Sequence, residues 1–165
     1  MKVYIEEQKF SQPLVFIGLA IALIVTIFAV ANDWQIILES STIKKIGALS
    51  GVFIVLLVIL LFINLKLKTR IDEKGIYYQF YPLHQSFKII PWDEISKTYI
   101  RNYDAISEYG GWGMKFSLFK KRGKAYTTKG NIGLQLEFRD GKKLLIGTQK
   151  KEELQRVLNT YQQKT

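Results

Sequence analysis

Side chains equipped for chemistry are sparse in this 165-residue chain. His84 is the single histidine and cysteine is absent, so disulfides are excluded and neither a thiolate nor a multi-histidine metal site can be assembled. Two acid pairs, Asp93 with Glu94 and Asp104 with Glu108, fall in turn-like stretches. Acids so placed are ordinarily solvated, whereas acid–base catalysis needs them set across a substrate. No G-x-x-x-x-G-K-[ST] run is present, and Gly110, Gly111 and Gly113 around Trp112 lack dinucleotide-binding spacing. The expectation is a non-enzymatic protein with no metal and no cofactor.

What the chain does concentrate is positive charge beside aromatic rings. Between Tyr109 and Leu136 there is no acid, while Lys115, Lys120, Lys121, Arg122, Lys124 and Lys129 fall within that window. Four of these form the turn KKRGK, flanked by Phe119 and Tyr126. Such a turn is suited to anionic lipid headgroups, at about 1 kcal/mol per basic residue near a charged bilayer. A solvated hairpin is the competing reading. Nucleic acid is the alternative partner for a chain of net charge +10, but no RNP, KH or helix-turn-helix pattern accompanies the charge.

The elements that must position this turn begin with two apolar runs. Leu14 to Ala31 and Ile46 to Leu65 contain no charged residue. At about 1.5 Å rise per residue they form helices of roughly 27 and 30 Å, the thickness of a bilayer's hydrocarbon core. Neither run contains an ionisable group, and the polar exceptions are Thr26, Ser50 and Asn64; an ion or proton path through this chain alone is therefore disfavoured. Gly47 and Gly51 have G-x-x-x-G spacing, which fits homo-oligomer contacts between copies or close packing of the chain's own two helices. The short connection favours the latter. Ala29-Val30-Ala31 has the form of a signal-peptidase site, but the apolar run ahead of it is long for a signal peptide and Glu6 and Glu7 dilute the positive N-terminal region.

Lysine and arginine near the span ends set the orientation. Lys2, Lys9, Lys66, Lys68, Arg70 and Lys74 stand against Lys44 and Lys45 in the connection, predicting both termini in the cytoplasm of a multi-pass cell-membrane protein. The expected organisation is a cytoplasmic tail over 1–13, a two-span hairpin over 14–65 with an external loop at 32–45, and a cytoplasmic domain over 66–165. Residues 1–65 hold equal numbers of lysines and acids, so the whole +10 belongs to the last part.

After residue 65 the pattern changes from solid apolar to alternating, as in half-buried strands. Leu65 to Ile71, Ile76 to Phe80, Phe87 to Ile90, Ile95 to Asn102, Met114 to Leu118, Ala125 to Thr128, Ile132 to Phe138 and Leu144 to Ile146 are eight short runs, from which a barrel of about seven strands is expected, with a hairpin signal at Asp140-Gly141. One amphipathic helix follows, with Thr148 as the expected N-cap and Leu154, Val157, Leu158 and Tyr161 on one face. A small, partly open, mostly β barrel (α+β) with its helix at one end is predicted. Trp112 is expected to cover an open end of it, with glycines supplying backbone freedom, and Trp92 is a second structural or interface aromatic.

Ile71, Gly75-Ile76, Ile90-Pro91-Trp92-Asp93-Glu94-Ile95, Gly111-Trp112-Gly113-Met114-Lys115, Ala125-Tyr126, Gly130, Asp140-Gly141-Lys142 and Ile146-Gly147-Thr148 resemble the bacterial pleckstrin-homology-like domains that follow two membrane spans. The head Glu6 to Gln12 is similar to the start of such proteins, so the resemblance covers nearly the whole chain. It implies a PH-like fold and a membrane-tethered interaction or scaffold module with a protein or lipid partner. Phosphoinositide-binding relatives carry basic residues in the first hairpin, where this chain has Asp72-Glu73-Lys74-Gly75, which argues against inositol-lipid specificity. The contact residues proposed from the sequence are Lys115, Phe119, Lys120, Lys121, Arg122, Lys124 and Tyr126.

Overall fold

The computed structural model describes residues 3–116 and 123–162, which divide into two compact units. The first comprises residues up to Ser11 together with those from Leu65 onward; the second is Gln12–Asn64.

In the second unit, α1 (Pro13–Asn32) and α3 (Thr42–Asn64) are both long and apolar enough to cross a membrane. None of their residues is buried within the chain, which a core helix of a soluble protein would require. Proline opens α1, where its missing N–H costs nothing. The polar side chains inside the helices bond to their own backbone: Thr26 Oγ1 donates to Ala22 O at 2.7 Å, Ser50 Oγ to Gly47 O at 2.8 Å and Asn64 Nδ2 to Leu60 O at 2.8 Å. Each of these side chains thus finds an acceptor within its own helix, as a hydrocarbon surrounding favours. The expected loop at 32–45 is mostly helical: α2 (Trp34–Glu39) occupies its middle, and Lys44 and Lys45 lie in the first turn of α3.

The sheet unit has nine strands among its described residues, one of them from the segment expected to be a tail. Sheet A runs β1-β2-β3-β4, with β1 (Tyr4–Lys9), β2 (Lys66–Ile71), β3 (Gly75–Tyr81) and β4 (Lys88–Pro91), all antiparallel. Glu6 stands opposite Thr69, Gln8 opposite Leu67, and the ladder continues to Phe10 N–Leu65 O at 3.0 Å. The two helices are thus an insertion between neighbouring strands. A 3-10 turn at Trp92–Glu94 leads from sheet A to sheet B. Sheet B is ordered β5-β8-β9-β7-β6, from β5 (Ile95–Asn102), β6 (Gly113–Phe116), β7 (Lys124–Thr127), β8 (Ile132–Phe138) and β9 (Lys143–Gly147). These are two sheets and not a closed barrel.

Sheet B is covered on both faces, which explains the unbroken apolar run Leu144-Leu145-Ile146 in β9. Tyr126 of β7 packs on Tyr78 and Phe80 of sheet A with ring centroids 5.0 and 5.9 Å apart. On the opposite face, Ala125 and Leu145 are buried with Tyr103, Ala105 and Tyr109, the last two from a short helix, α4 (Ala105–Tyr109). Asp104 caps α4 by accepting from Ile106 N and Ser107 N, and Gly110, left-handed at φ 70°, ends it with Gly110 N–Ile106 O at 2.8 Å and Gly111 N–Ala105 O at 2.7 Å. The chain then returns Trp112 onto this cluster, where its indole N–H donates to Gly130 O at 2.9 Å.

The last helix, α5 (Lys151–Gln162), buries Leu154, Val157, Leu158 and Tyr161, the aliphatic three contributing about 1.5–3 kcal/mol each. It starts later than the sequence suggests. Thr148 lies ahead of the cap position and is buried, accepting from Lys150 N at 3.0 Å and donating to Glu6 Oε2 at 2.9 Å.

Candidate functional site: a lysine-rimmed groove

Where β6 and β7 approach the β8–β9 hairpin, a groove of about 620 Å³ opens between Tyr78, Phe116, Lys124, Phe138, Leu144 and the 140–143 turn. Three pieces of local structure build it. Asp140 accepts from Lys142 N at 2.9 Å and Gly141 takes φ 82°, which fixes the tight β8–β9 turn and presents Lys142 and Lys143. Opposite, Gly123 lies so close to β9 that a Cβ there would meet Lys143 O at 2.0 Å, at a φ of 75° that also demands glycine. Finally, Phe116 pairs with Lys124 across β6 and β7, with the ammonium 5.3 Å from the ring centroid.

The floor is apolar and the rim is basic. Lys142 bonds Asp140 and Lys143 bonds Glu137, each at 2.7 Å, and each acid raises its lysine's pKa while being lowered itself. The Tyr78 phenol is pushed up to about 12, first by burial and then by Tyr126, so it stays protonated at neutral pH. Beneath it, His84 is half-buried against Tyr78 and Tyr126, its ring centroid 5.9 and 5.3 Å from theirs. His84 Nδ1 accepts from Phe80 N at 3.3 Å, and burial followed by the Lys88 charge lowers its pKa. Such a groove can take a molecule with an apolar part and an anionic head. Among the described residues no cluster of three His, Cys, Asp or Glu could hold a metal ion.

The residues singled out from the sequence are distributed as follows. Lys124 is at the groove, but Lys115 is one step off in strand parity, opposite Ala125, and lies on the other face of sheet B. Tyr126 shares the face of Lys124 yet is buried; sheet A covers it, while Lys124 sits at the strand end where that cover stops. It is a core residue and not a contact residue. Phe119, Lys120, Lys121 and Arg122 lie outside the described residues. Trp112 packs on the α4 cluster and does not line the groove. Trp92 donates to Asp72 O at 2.9 Å and stacks on Tyr161 at 5.7 Å, joining the β2–β3 turn to α5. In α3, a Cβ on Gly51 would meet Thr26 Cγ2 of α1 at 3.6 Å, whereas one on Gly47 would meet nothing within 4 Å. Glu108 pairs with Arg101 at 2.9 Å and Asp104 caps α4, so both acids hold structure.

Sequence reasoning passed over Phe116, Phe138, Lys142 and Lys143 as groove residues. The D-G turn signal was the available clue, since it projects Lys142 and Lys143 together. It also passed over a buried polar clamp on β1. The Glu6 carboxylate accepts from the Tyr4 and Thr148 hydroxyls and from Gln149 N at 2.8 Å; Gln8 Nε2 donates to Gly147 O at 2.7 Å while its Oε1 accepts from Thr128 at 3.0 Å. Burial pushes the Tyr4 phenol up, with Glu6 adding to the shift. β1 therefore joins sheet A to β9, β7 and the approach to α5. The sequence matches no protein-family model and no curated protein.

Proposed function

We propose that this chain is a non-enzymatic, membrane-anchored interaction or scaffold module of PH-like type, in which the groove and the adjoining basic turn engage anionic lipid headgroups. The observation that carries this reading is the apolar groove with a rim of Lys124, Lys142 and Lys143 in a chain that also has two helices long and apolar enough to cross a membrane. Two sheets followed directly by a C-terminal amphipathic helix support the PH-like assignment; the parallel β7–β9 pair and the inserted helices are features to be placed beside it. The β1–β2 ladder supports an arrangement with the tail and the sheet unit on one side of a cell membrane, the cytoplasmic side by the lysine and arginine bias. It also supports retention of Ala29-Val30-Ala31 uncleaved, since cleavage would remove a strand whose inward side chains are buried.

The test is vesicle co-sedimentation of the sheet unit with residues 11–64 replaced by Asn-Gly, its fold checked by circular dichroism. The expected result is salt-sensitive binding to phosphatidylglycerol-containing vesicles and not to phosphatidylcholine alone. Lys120→Glu, Lys121→Glu, Arg122→Glu and Lys124→Glu, each a change of two unit charges, should each weaken it by about 2 kcal/mol, roughly thirtyfold. Binding that is indifferent to these reversals would overturn the lipid reading, and binding to oligonucleotides but not to vesicles would replace it with a nucleic-acid one.

A further inference from the structure

The end of sheet A where the helices are inserted has an unusual surface. Its last row paired across three strands is Lys9–Lys66–Tyr81, spanning about 10 Å. Three residues separate Lys9 from the start of α1, a reach of about 10 Å, and Leu65 alone separates α3 from Lys66. Covalent continuity therefore ties this row to the points where the chain enters its apolar helices. The β3–β4 turn departs from Tyr81, in the same row.

That turn displays large apolar side chains: Tyr81, Leu83 and Phe87 are 44%, 50% and 48% exposed. They are held outward on an ordered backbone. His84 N donates to Phe80 O at 2.8 Å, and the buried Gln79 amide donates to His84 O at 3.1 Å and Gln85 O at 3.0 Å. These three bonds hold the backbone of the turn from which the exposed side chains project. Basic groups border them: Lys9 and Lys66 stand in the Tyr81 row, and Lys88 follows Phe87 directly in sequence, opposite Tyr78 on the other face of the sheet; Lys9 and Lys88 have no ion pair with another described residue, and Lys66 and Lys68 share the one carboxylate of Glu7 at 3.3 and 3.5 Å.

We propose that the β3–β4 turn is a second membrane contact, distinct from the groove, in which Leu83 and Phe87 enter the headgroup–acyl boundary of the bilayer that holds the helices and Lys9, Lys66 and Lys88 face its anionic headgroups. Aromatic and aliphatic side chains with a cationic fringe match that boundary. The proposal rests on the membrane reading of α1 and α3, and it adds a defined depth and face to it.

The chain has no cysteine, so single labels are available. Leu83→Cys and, as the reference, Lys74→Cys in the β2–β3 turn at the other end of sheet A, about 20 Å along the strands, are made in the full chain. Each carries a polarity-sensitive fluorophore, in vesicles of phosphatidylcholine with phosphatidylglycerol. The label at 83 should be blue-shifted, quenched by lipids brominated near the headgroup and protected from aqueous iodide, and the label at 74 should behave oppositely. Combining Lys9→Glu and Lys88→Glu should lessen the bromolipid quenching at 83. If the chain floats with vesicles but iodide quenches both labels alike, the proposal fails while the membrane reading stands. Protection from iodide without bromolipid quenching would mean that protein covers the turn, which also overturns it. A chain that does not float with vesicles sinks both.

Discussion

Glu6 and Glu7 are neighbours with identical functional groups, and the structure assigns them opposite consequences. Replacing Glu6 by alanine removes the acceptor of Tyr4 OH and Thr148 Oγ1, both buried, and of the part-buried Gln149 N. The two hydroxyls lie 2.9 Å apart and can bond each other, so the lasting loss is Gln149 N and one hydroxyl proton. Two donors without an acceptor at about 1–3 kcal/mol each give a cost of about 2–6 kcal/mol. For a sheet unit of this size that is a fall in Tm of roughly 10–20 °C. Glu7→Ala removes two half-exposed pairs with Lys66 and Lys68, worth at most about 1 kcal/mol together. Thermal unfolding of the full chain in detergent, followed through Trp92 and Trp112 in the near-ultraviolet, reads both. Glu6→Gln, which keeps one carbonyl acceptor, should fall between them. Equal and small shifts for Glu6→Ala and Glu7→Ala would refute the clamp and with it the place of β1 in the fold.

Other expectations follow from single contacts. The His84 pKa is lowered on folding, so the unfolded chain binds the extra proton as pH drops below about 6.5, and stability should fall through that window; His84→Gln should flatten the Tm-against-pH curve there. Gly123→Ala collides with Lys143 O and forces a side chain into positive φ, so it should lower Tm by several degrees and weaken anionic-vesicle binding, which the same melts and co-sedimentation would show. Joining Phe10 to Leu65 through Asn-Gly should give a folded, soluble unit, because the two residues already continue an antiparallel ladder, whereas residues 65–165 alone should melt earlier or aggregate along the bared β2 edge. Equal melting of the two variants would contradict this.

Most strands after the helices were legible because their inward positions are apolar and alternate, as at Leu134 and Leu136 in β8. β1 was not, because its inward set includes Glu6 and Gln8 while Val3 and Ile5 face out; the hydrophobic alternation is inverted by a polar network that only the tertiary fold completes. Its partner strand, moreover, lies beyond two apolar helices in sequence, out of reach of local pattern. α4 is too short to show helical periodicity, although Asp104 and Gly110 mark its two ends. Tyr126 was misjudged because its basic neighbours suggested a surface, whereas the parity of β7 turns it toward Phe80 and Tyr78. The groove needed three separate turns to converge, and only one of them, Asp140-Gly141, announces itself.

The proposed function requires that the two long apolar helices inserted between adjacent strands of one folded unit both cross the membrane, with the two flanks of the hairpin on one side of it. Single cysteines at Val3, Glu39 and Lys151, exposed sites in the first strand's approach, the connection and α5, can be labelled with an impermeant maleimide on right-side-out and inverted vesicles. The account predicts that Val3→Cys and Lys151→Cys react only in inverted vesicles and Glu39→Cys only in right-side-out ones. Reaction of Val3→Cys and Lys151→Cys on opposite sides would contradict it.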